Sequence, residues 1–377
     1  MPTAQAATLV APGRLEVRDY PLPEELEAGA VLLRMEASGI CGTDKHTFRG
    51  ETEQYAGTEY ARSTPFPIIQ GHENVGVVER VGPGGARAWD GRPLEPGDRV
   101  VPAPNRACGR CRFCLRRFPY YFCRNLENYG NSLSSREAPH LFGGWSEFLY
   151  LRPGTAVFRV PDELPSDVAV LTEIFAVTHS LERAAALPAP AAWRPGDRVA
   201  VIGVGALGLA HAIKASLMGA GEVIAVDRSR RRLALAERLA GARAVPAGDD
   251  AVAAALELTA GEGADVVVDA TGFPGSFGQA VAMVRDGGVV VEVGAFVDMG
   301  DEPLNPAVLC ARNLTLFGVA GEDLLTYENT LALMARHRDA IPFAEMISHR
   351  FPVAQAPEAM AVALDADASA KVLIAPR

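Results

Sequence analysis

The stretch Val199-Ala-Val-Ile-Gly203-Val-Gly205-Ala206-Leu207-Gly208 sets an apolar run directly before a G-x-G-x-x-G step, and a helical pattern follows. The run reads as a buried strand and the glycines as a tight turn that lets a ligand approach the backbone. The next residues read as a helix whose free N-terminal N–H groups and dipole favour an anion. A second apolar strand, Glu222 to Val226, ends on Asp227, 19 residues after Gly208, where a carboxylate would accept hydrogen bonds from an adenosine ribose. Gly203, Gly205, Ala206, Leu207, Gly208, Asp227 and Arg228 are therefore predicted to bind a dinucleotide. NAD is favoured over NADP, because a 2′-phosphate would meet the Asp227 charge; Arg228 is the neighbour that would tolerate one. The alternative, a glycine loop that only packs helix on strand, does not account for the acid that closes the second strand.

The same alternation continues through Asp265 to Ala270 and Gly288 to Val293 and stops near Phe317 to Gly321, which predicts a parallel sheet covered on both faces. Before about residue 160 the texture is different, with short β-type runs such as Val31 to Ala37, Val75 to Val81 and Gly97 to Val101 punctuated by Gly and Pro. The tail, with Phe351, a helical Ala356 to Leu364 and a last strand around Lys371 to Ile374, returns to that first texture. A length of 377 residues exceeds what one core organises. The expected architecture is α/β: a partly antiparallel, barrel-like β domain from residues 1–176 and 322–377, and a doubly wound parallel-sheet domain from 177–321.

Four of the six cysteines fall at Cys108, Cys111, Cys114 and Cys123, in a lobe of about 105–125. Too few for a disulfide scaffold, they suit one tetrahedral zinc with no open position, a structural site. The formal charge of −10 and the lack of a basic, then apolar, N-terminal segment or a long apolar run argue against nucleic acid and membrane partners. They point to a cytoplasmic protein, and the run Arg228 to Arg232 reads as a solvated helix face.

Two upstream segments carry chemistry: Gly39-Ile-Cys41-Gly-Thr43-Asp44-Lys-His46 and Gly71-His72-Glu73-Asn-Val-Gly76. Taken singly, Cys41 reads as a small buried residue and His72 as a satisfied core histidine. With the cysteine lobe and the glycine motif in this order, and with Gly97-Asp-Arg-Val100, Gly143-Gly-Trp-Ser-Glu-Phe148, Asp269-Ala-Thr-Gly272 and Val293-Gly-Ala-Phe296, nearly the whole chain resembles the zinc-containing medium-chain dehydrogenase/reductase (alcohol dehydrogenase) family.

That resemblance implies a GroES-like catalytic domain around a central Rossmann domain, two zincs per chain, and a homodimer or homotetramer. Cys41 and His72 would hold the catalytic zinc, with Glu73 as a neighbouring or exchanging ligand and Glu173 as the third, as in the polyol and sugar dehydrogenase branches. A one-residue shift would put Thr172 in the place of Glu173. Thr43 and His46 would relay a proton, His46 otherwise being an exposed loop histidine, while Asp44 would orient the loop. Backbone contacts to the nicotinamide amide would fall at Val293, Ala295 and Gly318, with Lys371 near the pyrophosphate. The implied reaction oxidises a secondary alcohol, polyol, sugar or cyclitol hydroxyl, or reduces the ketone. A zinc-free reductase of the same fold typically lacks Cys41 and the cysteine lobe, and a non-catalytic NAD-binding protein would have no use for this residue set. The resemblance departs in two places: the span from Cys114 to Cys123 is one residue longer than usual, and Glu51 to Pro67, with Tyr55, Tyr60 and Phe66, is long and expected to border the substrate cleft, as a specificity element or a plain surface loop.

Overall fold

The strand Val31–Gly39 is buried at almost every position, because it is paired on both edges. The computed structural model describes residues 2–59, 61–188 and 190–376, so Tyr60 of the long loop lies outside the described residues. The chain forms two compact units, Met1–Glu173 with Asp323–Arg377, and Ile174–Glu322. The division falls within the helix Thr172–Val177, making Glu173 the last residue of its part of the first unit.

In the first unit a seven-stranded, mostly antiparallel sheet runs in the order Val157–Arg159, Arg99–Pro102, Asn74–Val81, Val31–Gly39, Lys371–Ala375, Ile347–Pro352, with Phe148–Leu151 also paired to Val31–Gly39. A three-stranded sheet of Arg14–Pro21, Thr3–Ala11 and Ile68–Ile69 accompanies it. The tail thus belongs to the first unit: Leu373 pairs with Gly39 and Ile374 with Ser38, while Ser38 also pairs with Asn74 across its other edge. Leu32, Leu33, Trp145, Phe142 and Met360 fill the core against these strands. Burying such side chains supplies about 25 cal/mol per Å² of apolar surface, which sets the pairing register.

The second unit is a six-stranded, all-parallel sheet in the order Arg243–Pro246, Glu222–Asp227, Arg198–Ile202, Ala264–Asp269, Val284–Glu292, Thr315–Gly318. Val199, Ala200, Val201, Val266, Val267, Val268 and Val290 have no exposed surface, as strands covered on both faces require. The order reverses beside Arg198–Ile202, the topological switch point at which such sheets bind ligands. Among the described residues no helix is long and apolar enough to cross a membrane.

Two carboxylates end neighbouring strands of this sheet, Asp269 and Glu292, and they are register partners. Glu292 Oε1 accepts the Gly294 and Ala295 N–H groups at 2.8 and 2.9 Å, while Asp269 is bonded by Thr271 and Ser276. Burial, and then the charge of Asp269, push Glu292 up to about 7. Between its ordinary 4.5 and about 7, the folded chain keeps a proton that the unfolded chain has released, so this group makes stability fall as pH rises through that window. Glu292→Gln removes the effect: the variant and wild type should be equally stable near pH 4.5, with the variant gaining on the order of 2 kcal/mol above pH 8. Denaturant unfolding at a series of pH values checks this; parallel pH profiles for the two proteins would contradict it.

Candidate active site

Cys41 follows the central strand by two residues and caps the helix Gly42–Arg49. Asp44, in the first turn of that helix, reaches back so that its Oδ2 accepts the Cys41 N–H at 2.8 Å. Its Oδ1 faces His72 Nδ1 at 3.7 Å, and Asn131 Nδ2 lies 3.4 Å from the same nitrogen. Both neighbours lie on the Nδ1 side of the ring, which leaves the other ring nitrogen for a ligand. Asp44 is wholly buried, accepts the Cys41 N–H and faces His72.

Glu73 is brought in by the sheet register. The Gly39 N–H donates to the Glu73 carbonyl at 2.8 Å, and a Cβ on Gly39 would sit 1.8 Å from Glu73 Oε2, so only glycine leaves room for the carboxylate. Lys371, expected near a cofactor pyrophosphate, lies beside Glu73. Its side chain is 2% exposed, and Nζ donates to Glu73 Oε1 at 2.6 Å and to the Ile40 carbonyl at 3.0 Å, with Oε2 also in contact. The reason is register: Ile40 donates its N–H to the Val372 carbonyl, which fixes Lys371 beside the end of the central strand.

The Cys41 sulfur, a His72 ring nitrogen and a Glu73 oxygen all lie within 4.8 Å of one another. Glu173, 9% exposed in the first turn of Thr172–Val177, is not in that trio, yet its charge acts on both His72 and Lys371. Thr172, the alternative, turns its hydroxyl to the Ala169 carbonyl at 2.6 Å. Burial disfavours a charged His72, but Asp44, Cys41 and Glu173 outweigh it and hold the imidazole well above its ordinary range. Burial pushes Asp44 up, against the pull of His72. For Lys371, burial is likewise outweighed, chiefly by Glu73 and Cys41, and its pKa is raised. So many anions converging in a dry place call for a cation, and one sulfur, one nitrogen and a carboxylate fit zinc.

The lobe's four sulfurs also lie within 4.8 Å of one another, and all six cysteines are free. The span from Cys114 to Cys123 is taken up by a turn at Arg117, φ 58°, and the 3-10 turn Tyr120–Phe122. Backbone N–H groups of Cys114 and Arg124 draw Cys111 down to about 6, whereas burial pushes Cys123 up to about 12. Four thiols this close cannot all ionise without a cation, and a Cys₄ set fits a structural zinc. The loop of residues 51–67 is tied to this lobe. Tyr55 packs against it, Arg62 donates to the Leu126 carbonyl at 2.6 Å, and Glu59 pairs with Arg124 at 3.1 Å.

In the second unit Gly203 ends its strand at φ 80° and Gly205 caps the helix Ala206–Leu217, followed by Ala206 and Leu207. A Cβ on Gly208 would lie 1.9 Å from the Gly203 carbonyl oxygen, whereas one on Gly205 would meet only Arg232, at 3.7 Å, which leaves the helix N-terminus open to a ligand. Asp227 is the last residue of its strand; Oδ1 accepts the Ser229 N–H at 2.8 Å and Oδ2 is 4.0 Å from Arg232 Nη1. Arg228 is exposed. The N–H groups of Val293 and Ala295 are taken by Asp269 and Glu292, and Gly318 accepts from Arg183 at 3.4 Å.

Comparison with known proteins identifies the family. Residues 27–162 match the alcohol dehydrogenase GroES-like domain and residues 203–336 the zinc-binding dehydrogenase domain. The chain is 36% identical over 351 residues to the "Probable alcohol dehydrogenase adh" of Mycobacterium tuberculosis, covering 91% of this chain and 89% of that one. It is 30% identical over 368 residues to the 5-exo-hydroxycamphor dehydrogenase of Pseudomonas putida, covering 96% and 95%. Among solved structures, an alcohol dehydrogenase from Thermotoga maritima superposes with a TM-score of 0.86 at 28% identity, covering all of both chains. A zinc-binding dehydrogenase from Sinorhizobium meliloti 1021 bound to NADP gives 0.82 at 27%, again over all of both chains. The fold and site define an oxidoreductase. The chain belongs to the zinc-containing medium-chain alcohol dehydrogenase family.

Removing the Lys371 ammonium strands a buried Glu73 carboxylate. Lys371→Met should cost about 3–5 kcal/mol, and Lys371→Met combined with Glu73→Gln should recover most of it. Urea unfolding of zinc-replete protein checks both; a double variant as unstable as the single one would contradict the pairing.

Proposed function

We propose that the chain is a zinc-dependent, NAD-linked dehydrogenase that oxidises a secondary alcohol, polyol, sugar or cyclitol hydroxyl, or reduces the corresponding ketone. The observation that carries this reading is the buried convergence of Cys41, His72 and Glu73 beside Glu173. Cys41, His72 and Glu173 would hold the catalytic zinc, with Glu73, already balanced by Lys371, as an exchanging carboxylate. Bound zinc would supply Lewis acidity to a hydroxyl, and the dinucleotide would accept the hydride.

The chain's own residues do the rest. Asp44 and Asn131 flank Nδ1 of the His72 ring, and Asp44 also accepts the N–H of Cys41 at the head of its helix. Thr43 and His46, three residues apart on the helix Gly42–Arg49, share a face, which supports their taking up and passing a proton. Cys108, Cys111, Cys114 and Cys123 would hold the second, structural zinc. Gly203, Gly205 and Gly208 would cradle the pyrophosphate, and Asp227 would take the ribose hydroxyls, which favours NAD. Arg228 and the NADP-bound relative support NADP as the second reading. The hydroxyl substrate is supported by the relatives' names, and its polyol or sugar character by Glu173. The thiols of the cysteine lobe suit a cytoplasmic protein, and the family resemblance suits a homodimer or homotetramer.

Zinc content of wild type and Cys41→Ala, with NAD and NADP reduction across a panel of secondary alcohols, polyols and sugars, tests this reading. Two zincs per chain should fall to one, with NAD-dependent turnover lost. One zinc in both proteins would overturn the catalytic site, and a preference for NADP would overturn the role of Asp227.

A further inference from the structure

The helix that carries Thr43 and His46 ends at Gly50, φ 95°, and the chain turns back on it. Two bonds then tie the next residue to the histidine: the Glu51 N–H donates to the His46 carbonyl at 3.0 Å, and Glu51 Oε2 lies 2.5 Å from His46 Nδ1. The His46 side chain is 16% exposed and that of Glu51 34%, so the pair sits between the interior and solvent. Beyond Glu51, strands Glu53–Gln54 and Arg62–Ser63 pair, and the loop is pinned to the cysteine lobe through Tyr55, Glu59 and Arg62. An acid on a free loop would sample many positions; this one has a backbone bond on one side and an anchored hairpin on the other.

We propose that Glu51 is a positioning residue for the proton path, acting through His46. A carboxylate has only acceptor oxygens, so a short contact to Nδ1 of a neutral imidazole requires the hydrogen to be on Nδ1. Nε2 then carries the lone pair and is the base. A proton taken up at Nε2 makes an imidazolium whose charge Glu51 balances, and the same nitrogen gives that proton to water, which restores the starting tautomer. The logic is that of a carboxylate fixing the tautomer and orientation of a catalytic histidine. This explains why the long loop begins with an acid and is held at its far end: its chemical use is at residue 51.

The inference rests on His46 lying on the proton path, so the test reads the tautomer and the chemistry separately. Zinc-loaded protein with ¹⁵N-labelled histidine, which has seven histidines in all, is compared by NMR with Glu51→Gln and Glu51→Asp, the His46 signals being identified with His46→Asn. In its neutral form, wild-type His46 should carry its hydrogen on Nδ1; Glu51→Gln should lose that preference and Glu51→Asp should keep it. In steady-state assays kcat should fall about tenfold in Glu51→Gln, recover in Glu51→Asp, and be partly restored by added imidazole as an external base. An unchanged His46 tautomer in Glu51→Gln would overturn the role of Glu51. A lost tautomer preference with unchanged turnover would instead overturn the place of His46 on the proton path.

Discussion

A buried ammonium facing a buried carboxylate, Lys371 on Glu73, is the contact on which the catalytic end of the first unit depends. Each ion costs several kcal/mol to take out of water, and the pair is tolerable only because its geometry is fixed by backbone. That backbone is the strand Val31–Gly39. Its last residues pair on one edge with Asn74 and on the other with Leu373 and Ile374, so residues 41, 73 and 371 arrive at one point from three parts of the chain. With Glu73 paired to Lys371, it is Asp44, Cys41 and Glu173 that act on His72 and, against its burial, raise its proton affinity. A proton on His72 and a zinc ion at the same nitrogen compete for the same lone pair, so the electrostatics that favour one favour the other.

Much of this was legible in the residues. The buried parallel strands announced themselves as continuous apolar runs, and Asp227 ends its strand where its distance from Gly208 implied. The cysteine spacing was equally direct, because thiolates three residues apart converge on their own. The less legible features all depend on distant partners. Lys371 meets Glu73 across 298 positions, and no periodicity encodes such a pairing. Asp44 reads as a residue that orients its loop because its other neighbour, His72, is remote in sequence. Likewise the loop of residues 51–67, read as a specificity element or a plain surface loop, is attached to the cysteine lobe by Arg62 and Glu59, partners remote in sequence. A local signal for Glu51 did exist, an acid five residues after His46 and just past a helix-ending glycine.

The two sulfur-bearing clusters are built on different principles. The lobe is a short, self-contained segment in which backbone N–H groups stabilise some thiolates and burial opposes others, so a cation would settle its charge. The Cys41 cluster is non-local and interlocked, with each ligand candidate held by a second residue: Cys41 by Asp44, His72 by Asp44 and Asn131, Glu73 by Lys371. Support of that kind keeps side chains within the tolerance that chemistry demands.

Anomalous scattering from crystals of the untreated protein, recorded on both sides of the zinc absorption edge, tests most directly whether that interlocked cluster is a metal centre. Two peaks per chain are expected, one among Cys108, Cys111, Cys114 and Cys123 and one between Cys41 and His72. A single peak at the lobe, with strong density for Cys41 and His72 but no metal between them, would contradict it.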